Sequence, residues 1–376
     1  MRNILLSFYL LFVFTAAALF MPGSAAASSL PETLPLNAMI GQMVMVGFRG
    51  TGDTSDPEMR TVLEDVMSGR IGGVIYFERD WQTKKRGRNI ATLEQTARLS
   101  ALLQKDAPIP LFIAVDQEGG RVQRLKGDHG FPETPSAEEM GKKTPGETKK
   151  SALLMGRNLK KLGINVNFAP VADMAVNPKS PAIGGIGRAF SANPKSAADH
   201  AAAFMGGLNE AGIIGSYKHF PGHGSSVADS HKKLTDVTET WSETELLPYR
   251  NLPKNAPIMV MTGHLMLRKL DAEYPASLSR AITTGLLREK LGWQGVVVTD
   301  DLEMDAIALF YSEKERVRLA IEAGVDIILF GNNLKHDPEQ GRKIYGIIKT
   351  LVDDGTVSKE RIAESWKRIR MLKSQL

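Results

Sequence analysis

Eight short apolar runs recur along this chain and constrain its fold more than any other feature. They lie at 43–48, 73–77, 110–115, 166–171, 213–217, 258–262, 295–299 and 326–330. None alternates strictly between apolar and polar residues, as a half-buried strand would. Near-continuous apolarity instead marks parallel strands covered on both faces. Helical patterns separate most of the runs, as at 91–103, 147–162, 197–211, 283–291, 313–323 and 340–352, and a last one at 359–372 follows the eighth run. Strand and helix alternating eight times predicts an α/β chain folded as a single (β/α)8 TIM-type barrel. The competing architecture, an open doubly wound sheet, usually has fewer strands. No Gly/Ser-rich linker or break in composition divides the chain, so one domain is expected over 28–376 with no second domain after the barrel.

Residues 1–27 read as an address and not as fold. Arg2 precedes an apolar run from Ile4 to Phe20 interrupted only by Ser7 and Thr15, and Ala25-Ala26-Ala27 supplies the small residues of a cleavage site. That order describes a secretory signal peptide, and cleavage is expected after Ala27. The expected location is periplasmic or secreted, with no membrane span left in the mature protein, which is expected to be a monomer. The absence of cysteine excludes disulfides, thiolate zinc sites and iron–sulfur clusters. A formal charge of +5, spread along the chain without a basic block, leaves no electrostatic footprint for nucleic acid.

In a barrel, chemistry belongs to the loops at the carboxyl ends of the strands. The third run is followed by Asp116-Gln117-Glu118-Gly119-Gly120-Arg121-Val122-Gln123-Arg124, and the fifth by Lys218-His219-Phe220-Pro221-Gly222-His223-Gly224, continuing to Asp229-Ser230-His231. Gly263-His264 follows the sixth, Asp300-Asp301 the seventh and Gly331-Asn332-Asn333 the eighth. Polar and charged residues therefore converge on one rim.

Asp300, at the end of a rigid strand, suits a nucleophile, a base or a metal ligand, or else a cap that accepts backbone N–H groups, the role that better suits Asp301. Asp229 and His231, two residues apart, suit a carboxylate–imidazole pair able to give and take a proton. The alternative is a polar loop without chemistry. Asp116, Arg124, Arg188 and Lys218 suit polar clamps on a sugar or anion, or else surface ion pairs. Gly119-Gly120 would let backbone approach a ligand closely. Zinc held by His219, His223, Asp229 and His231 is disfavoured, because Phe220-Pro221-Gly222 prevents the two histidines from sharing a helix face. No phosphate-loop, dinucleotide or nucleophile-elbow motif occurs.

Taken together, the segments 114–124, 218–224 with Asp229-Ser230-His231, and Val298-Thr299-Asp300-Asp301-Leu302 resemble glycoside hydrolase family 3, and more narrowly its β-N-acetylhexosaminidase branch. Asn167-Phe168-Ala169-Pro170-Val171-Ala172-Asp173 and Gly187-Arg188-Ala189-Phe190 fit the same pattern. The resemblance implies a retaining exo-β-N-acetylglucosaminidase working through a covalent glycosyl-enzyme, without metal or organic cofactor. It implies Asp300 as nucleophile and His231 as acid/base partnered by Asp229. Asp116, Arg124, Arg188, Lys218 and His219 would hold the N-acetylglucosamine ring. Many family 3 β-glucosidases take their acid from a domain after the barrel, so a chain expected to lack one favours the hexosaminidase. Cell-wall muropeptides or chitooligosaccharides are the expected partners. The alternatives are a β-glucosidase, a phosphorolytic N-acetylglucosaminidase and a catalytically dead sugar-binding barrel.

Overall fold

The computed structural model describes residues 30–227, 234–253 and 256–376. Residues 1–27, Asp229 and His231 lie outside that description. Eight parallel strands form one sheet: β1 (Val44–Gly47), β2 (Gly73–Tyr76), β3 (Phe112–Val115), β4 (Val166–Asn167), β5 (Ile214–Phe220), β6 (Ile258–Thr262), β7 (Val296–Thr299) and β8 (Ile328–Phe330). Each strand pairs with its neighbours in chain order, and β1 pairs with β8 through Val44↔Ile328. A bridge between Val298 and Ile327 brings β7 to β8 and completes the ring. The fold is a single (β/α)8 barrel, as the eight apolar runs predicted.

Every barrel-strand residue is buried, which explains the continuous apolarity. Helices cover the outside. Their starts follow from local chemistry: Thr144 and Glu147 form a reciprocal capping box ahead of Pro145–Lys161, and Asn193 caps Pro194–Glu210. The segment Ala281–Lys290 is wound more loosely, with π-type hydrogen bonding. Helix Pro57–Met67, between β1 and β2, is not among the patterns expected above. Its sequence nevertheless carries both signals of a helix: Asp56 followed by Pro57 at the start, and Met59, Val62, Leu63 and Val66 along one face.

Two strands differ from expectation where the site is built. β4 pairs over only two residues, and its continuation returns to β5 through a bridge between Val171 and Lys218. β5 runs to Phe220, so Lys218 and His219 belong to the strand and not to the loop after it. Pairing between β5 and β6 shifts register between Tyr217 and Phe220, and the Lys218–His219 and Phe220–Pro221 peptides are cis. Among the described residues no helix is long and apolar enough to cross a membrane.

Candidate active site

The loop after β3 is fixed by one side chain. Gln117 Nε2 donates to the Leu125 carbonyl at 2.8 Å, and its Oε1 accepts from the Arg124 and Leu125 N–H groups at 2.9 and 3.0 Å. The backbone of Gln117 is in turn clasped by Asn167 on β4, at 2.9 and 2.8 Å. Asp116 is thereby held at the mouth of the barrel. Both glycines are demanded by the packing of this loop, Gly120 (φ +56°) against Ser136 and Gly119 against Pro135. Gly119 has φ +98°, and a Cβ there would lie 2.2 Å from the Pro135 carbonyl oxygen.

A chain of alternating charge runs inward from that mouth. Asp116 accepts from Arg124 Nη2 at 3.1 Å and from Lys218 Nζ at 2.9 Å. Lys218 Nζ also reaches Glu118 at 2.7 Å. Arg188 grips Glu118 in a two-point fork, both contacts at 2.8 Å, and spends a third N–H on the Ala182 carbonyl. Burial alone would raise the Asp116 carboxyl, but Lys218 and Arg124 outweigh it and hold that carboxyl well below its ordinary range. Glu118 is likewise lowered against its burial, by Arg188 and Lys218. Burial opposes charge on Lys218 too, and Asp116 and Glu118 overcome it. Asp116, Glu118 and Lys218 are therefore ionised near neutral pH.

His219 is oriented from beneath. Its Nδ1 lies 2.7 Å from the fully buried Asp173 carboxylate, which also accepts the backbone N–H groups of His219 and His223. Burial would raise Asp173, but His219 lowers it, so the ionised carboxylate accepts and Nδ1 donates. His223 Nδ1 meets Ser226 Oγ at 2.8 Å, and burial together with His219 lowers the His223 imidazole to about 4. Among the described residues no cluster of three or more His, Asp or Glu side chains is arranged for a metal ion.

Asp300 directly follows β7. Its N–H bonds the Thr262 carbonyl at 3.0 Å, and one carboxylate oxygen accepts from the Asp301 N–H at 2.8 Å. Asp301 stands in the same cavity wall but accepts from the N–H groups of Glu303 and Gly331, the backbone-securing role its position suggested. A cavity of about 690 Å³ opens at this rim, within the range of small-molecule sites. Asp116, Arg124 and Asp300 all stand in its wall, with Phe77, Phe168 and Met261 as apolar lining. Arg188, Lys218 and His219 are buried, and Lys218 reaches the wall through its contact with Asp116. Asp229 and His231 are outside the described residues.

Four side chains that sequence reading passed over hold this arrangement. Glu118 and Asp173 have been described. Glu245 accepts from the N–H groups of Gly224 and Ser225 at 3.1 and 3.3 Å, and burial pushes its carboxyl up to about 7. Glu303 accepts from Asn333 N–H, and burial with the nearby Asp301 raises it. Glu118 and Asp173 sat inside motifs already singled out. Glu245 and Glu303 carry no sequence signal.

The description "Glycosyl hydrolase family 3 N terminal domain" matches residues 35–372. Beta-hexosaminidase A of Pseudoalteromonas piscicida is 33% identical over 385 residues, covering 94% of this chain and 63% of that protein. Beta-hexosaminidase LpqI of Mycobacterium tuberculosis is 33% identical over 84% of this chain and 78% of its own length. A solved glycoside hydrolase family 3 β-N-acetylglucosaminidase from Paenibacillus sp. str. FPU-7 superposes with a TM-score of 0.82 at 35% identity, covering 91% of this chain and 63% of that one. The chain thus spans just under two thirds of the Pseudoalteromonas and Paenibacillus proteins.

Proposed function

The chain belongs to glycosyl hydrolase family 3, and from that membership we propose that it is an exported, retaining exo-β-N-acetylglucosaminidase. The observation that carries the proposal is the meeting of Asp300 with Asp116 and Arg124 in one cavity wall at the carboxyl rim of the barrel. Asp300 is the nucleophile. Its carboxylate oxygen attacks the anomeric carbon, the bond to the leaving oxygen breaks, and a proton from His231 neutralises that oxygen. Water, losing its proton to His231, then displaces Asp300 and releases the sugar with its configuration retained. Asp229 pairs with His231. Both assignments rest on the sequence alone.

Two features support Asp300 over its neighbour. It sits on a strand end, and its carboxylate is aimed by the adjacent peptide N–H. Asp301 is committed to backbone. Asp116, ionised and partly exposed, accepts sugar hydroxyls, and Arg124 donates to them. Lys218, Arg188 and His219 keep that surface charged and in place. The natural substrates are N-acetylglucosamine-terminated cell-wall fragments or chitooligosaccharides, met outside the cytoplasm after removal of residues 1–27.

The test is a paired assay of the mature protein on aryl N-acetyl-β-glucosaminide and aryl β-glucoside, with and without phosphate. Turnover of the first, with free sugar and no sugar-1-phosphate as product, is expected, together with a loss of at least about 10³-fold in Asp300→Ala at unchanged fold. Near-wild-type turnover by that variant would remove Asp300 from the mechanism.

A further inference from the structure

Residues 78–88, between β2 and the helix Leu93–Lys105, leave the barrel as a tight excursion that returns upon itself. Arg79 bridges Arg86 antiparallel, and the Asp80 N–H bonds the Lys85 carbonyl at 2.9 Å. The Asp80 carboxylate gathers Arg49 at 2.7 Å, Arg88, and both the N–H and hydroxyl of Thr83. The excursion is also stitched across the cavity rim to the loop after β8. Asn333 Oδ1 accepts the Trp81 N–H at 2.8 Å, and Asn333 Nδ2 donates to the Arg79 carbonyl at 3.2 Å.

What this fastening holds still is an exposed indole. Trp81 is 57% exposed and stands in the same cavity wall as Asp300. The chain has four tryptophans. Trp241, Trp293 and Trp366 each give the indole N–H to a backbone carbonyl, those of Pro221, Val296 and Glu32. Trp81 gives its indole N–H to no acceptor among the described residues. The Lys84 ammonium sits over its ring, 3.7 Å from the centroid. A tryptophan kept for packing would bury its surface and satisfy its N–H, because an indole carries a large apolar area and one polar handle. This one does neither, although Asn333 holds its backbone N–H and Arg49, Thr83 and Arg88 hold the carboxylate of the preceding Asp80. Fixing an exposed aromatic ring in advance removes the ordering cost of binding against it.

From this geometry we infer that Trp81 is the platform for the pyranose ring of the leaving group. The reading rests on the proposed glycosidase activity and assigns the half of the cavity that takes the departing sugar. A β-linked pyranose with equatorial hydroxyls presents a face of axial C–H bonds. That face meets the electron-rich face of an indole favourably, and the indole N–H remains to reach a ring hydroxyl. Trp81 thereby sets specificity for saccharide over small leaving groups and takes no part in bond breaking.

The test compares the wild type with Trp81→Ala and Trp81→Phe on two substrates. N,N′-diacetylchitobiose places a sugar on the platform. N-acetyl-β-glucosaminyl fluoride leaves it empty. Trp81→Ala is expected to lower kcat/KM for the disaccharide about tenfold more than for the fluoride, and Trp81→Phe to recover most of that difference. In parallel, titrating the disaccharide into Asp300→Asn should shift tryptophan emission and the shift should disappear when Trp81→Phe is added. That binding arm reads the platform whether or not turnover occurs. Equal losses on both substrates, or no loss on the disaccharide, would overturn the assignment while wild-type hydrolysis of the fluoride left the parent activity standing. An emission shift that survives Trp81→Phe would also overturn it.

Discussion

Glu118 lies between two cations, Lys218 at 2.7 Å and Arg188 in a fork at 2.8 Å, and almost no water reaches any of the three. Burying such a group costs free energy unless its partners are present, and removing one partner leaves the others stranded. Glu118→Ala would remove the one carboxylate in direct contact with Arg188, leaving Asp116 on Lys218 and the more distant Asp173 and Asp116 to balance Arg188. The expected loss is about 3–5 kcal/mol of unfolding free energy, read from the midpoint and slope of urea denaturation. A loss below about 1 kcal/mol would mean that solvent replaces the carboxylate, and would sink the view of this cluster as a dry, closed circuit. The fork spans 70 residues of sequence and the Asp173–His219 pair spans 46. Such separations explain why neither was legible beforehand. The sequence offers the charges, but which cation meets which anion is decided when β3, β4 and β5 are laid side by side. Asp116, Arg124 and Asp300, which stand in the cavity wall, are legible as candidates because they directly or nearly follow a strand end.

At the scale of elements, strands were the legible part. All eight apolar runs became barrel strands, because a strand covered on both faces writes its burial into every position. Helices bury one face only, and Pro57–Met67 is missing from the expected set although Met59, Val62, Leu63 and Val66 share a face. The continuation of β5 through Lys218 and His219 also went unread, since charged residues at full burial look like loop until Asp116, Glu118 and Asp173 are seen to neutralise them. The turn that follows, residues 221–226, depends on Glu245, which is 1% exposed and holds the Gly224 and Ser225 N–H groups. The groups facing its carboxylate are Asp173 and Tyr249. Its carboxyl titrates at about 7 in the folded chain against an ordinary 4.5. Between those values the unfolded chain has lost a proton that the folded chain keeps, so stability falls as pH rises from about 4.5 through 7 and levels off above. Glu245→Gln keeps an oxygen for both N–H groups and removes the titration. Relative to the wild type, it is expected to gain nothing near pH 4.5 and about 2–3 kcal/mol above pH 7.5, measured by urea denaturation at both pH values. A gain independent of pH would place the effect in packing and not in ionisation.

Across the whole molecule the two ends of the barrel divide the work, and this division gives the clearest contrast to measure. The carboxyl rim carries the cavity and its charges. The amino end is closed by Lys373, from the last helix (Lys359–Lys373), whose fully enclosed ammonium donates to Gln42 Oε1 at 2.7 Å, the Gly72 carbonyl at 2.8 Å and the Pro110 carbonyl at 2.6 Å. Those acceptors stand just before β1, β2 and β3, so one side chain near the end of the chain ties together the first three staves. It also lies 4.5 Å from the centroid of the Phe112 ring. Lys373→Met fills the same space without a donor; it leaves Gln42 Oε1 and the Pro110 carbonyl without their donor, while the Gly72 carbonyl keeps the Phe112 N–H. The expected cost is about 2–4 kcal/mol in denaturant unfolding. Because the chemistry of a barrel belongs to its other face, kcat and KM of the folded variant should match the wild type at a temperature well below its lowered melting point. Asp300→Ala should show the reverse, an undiminished melting point with lost turnover. Should Lys373→Met instead impair kcat at full folding, the two ends would be mechanically coupled, and the picture of a rigid barrel presenting an independent rim would fail.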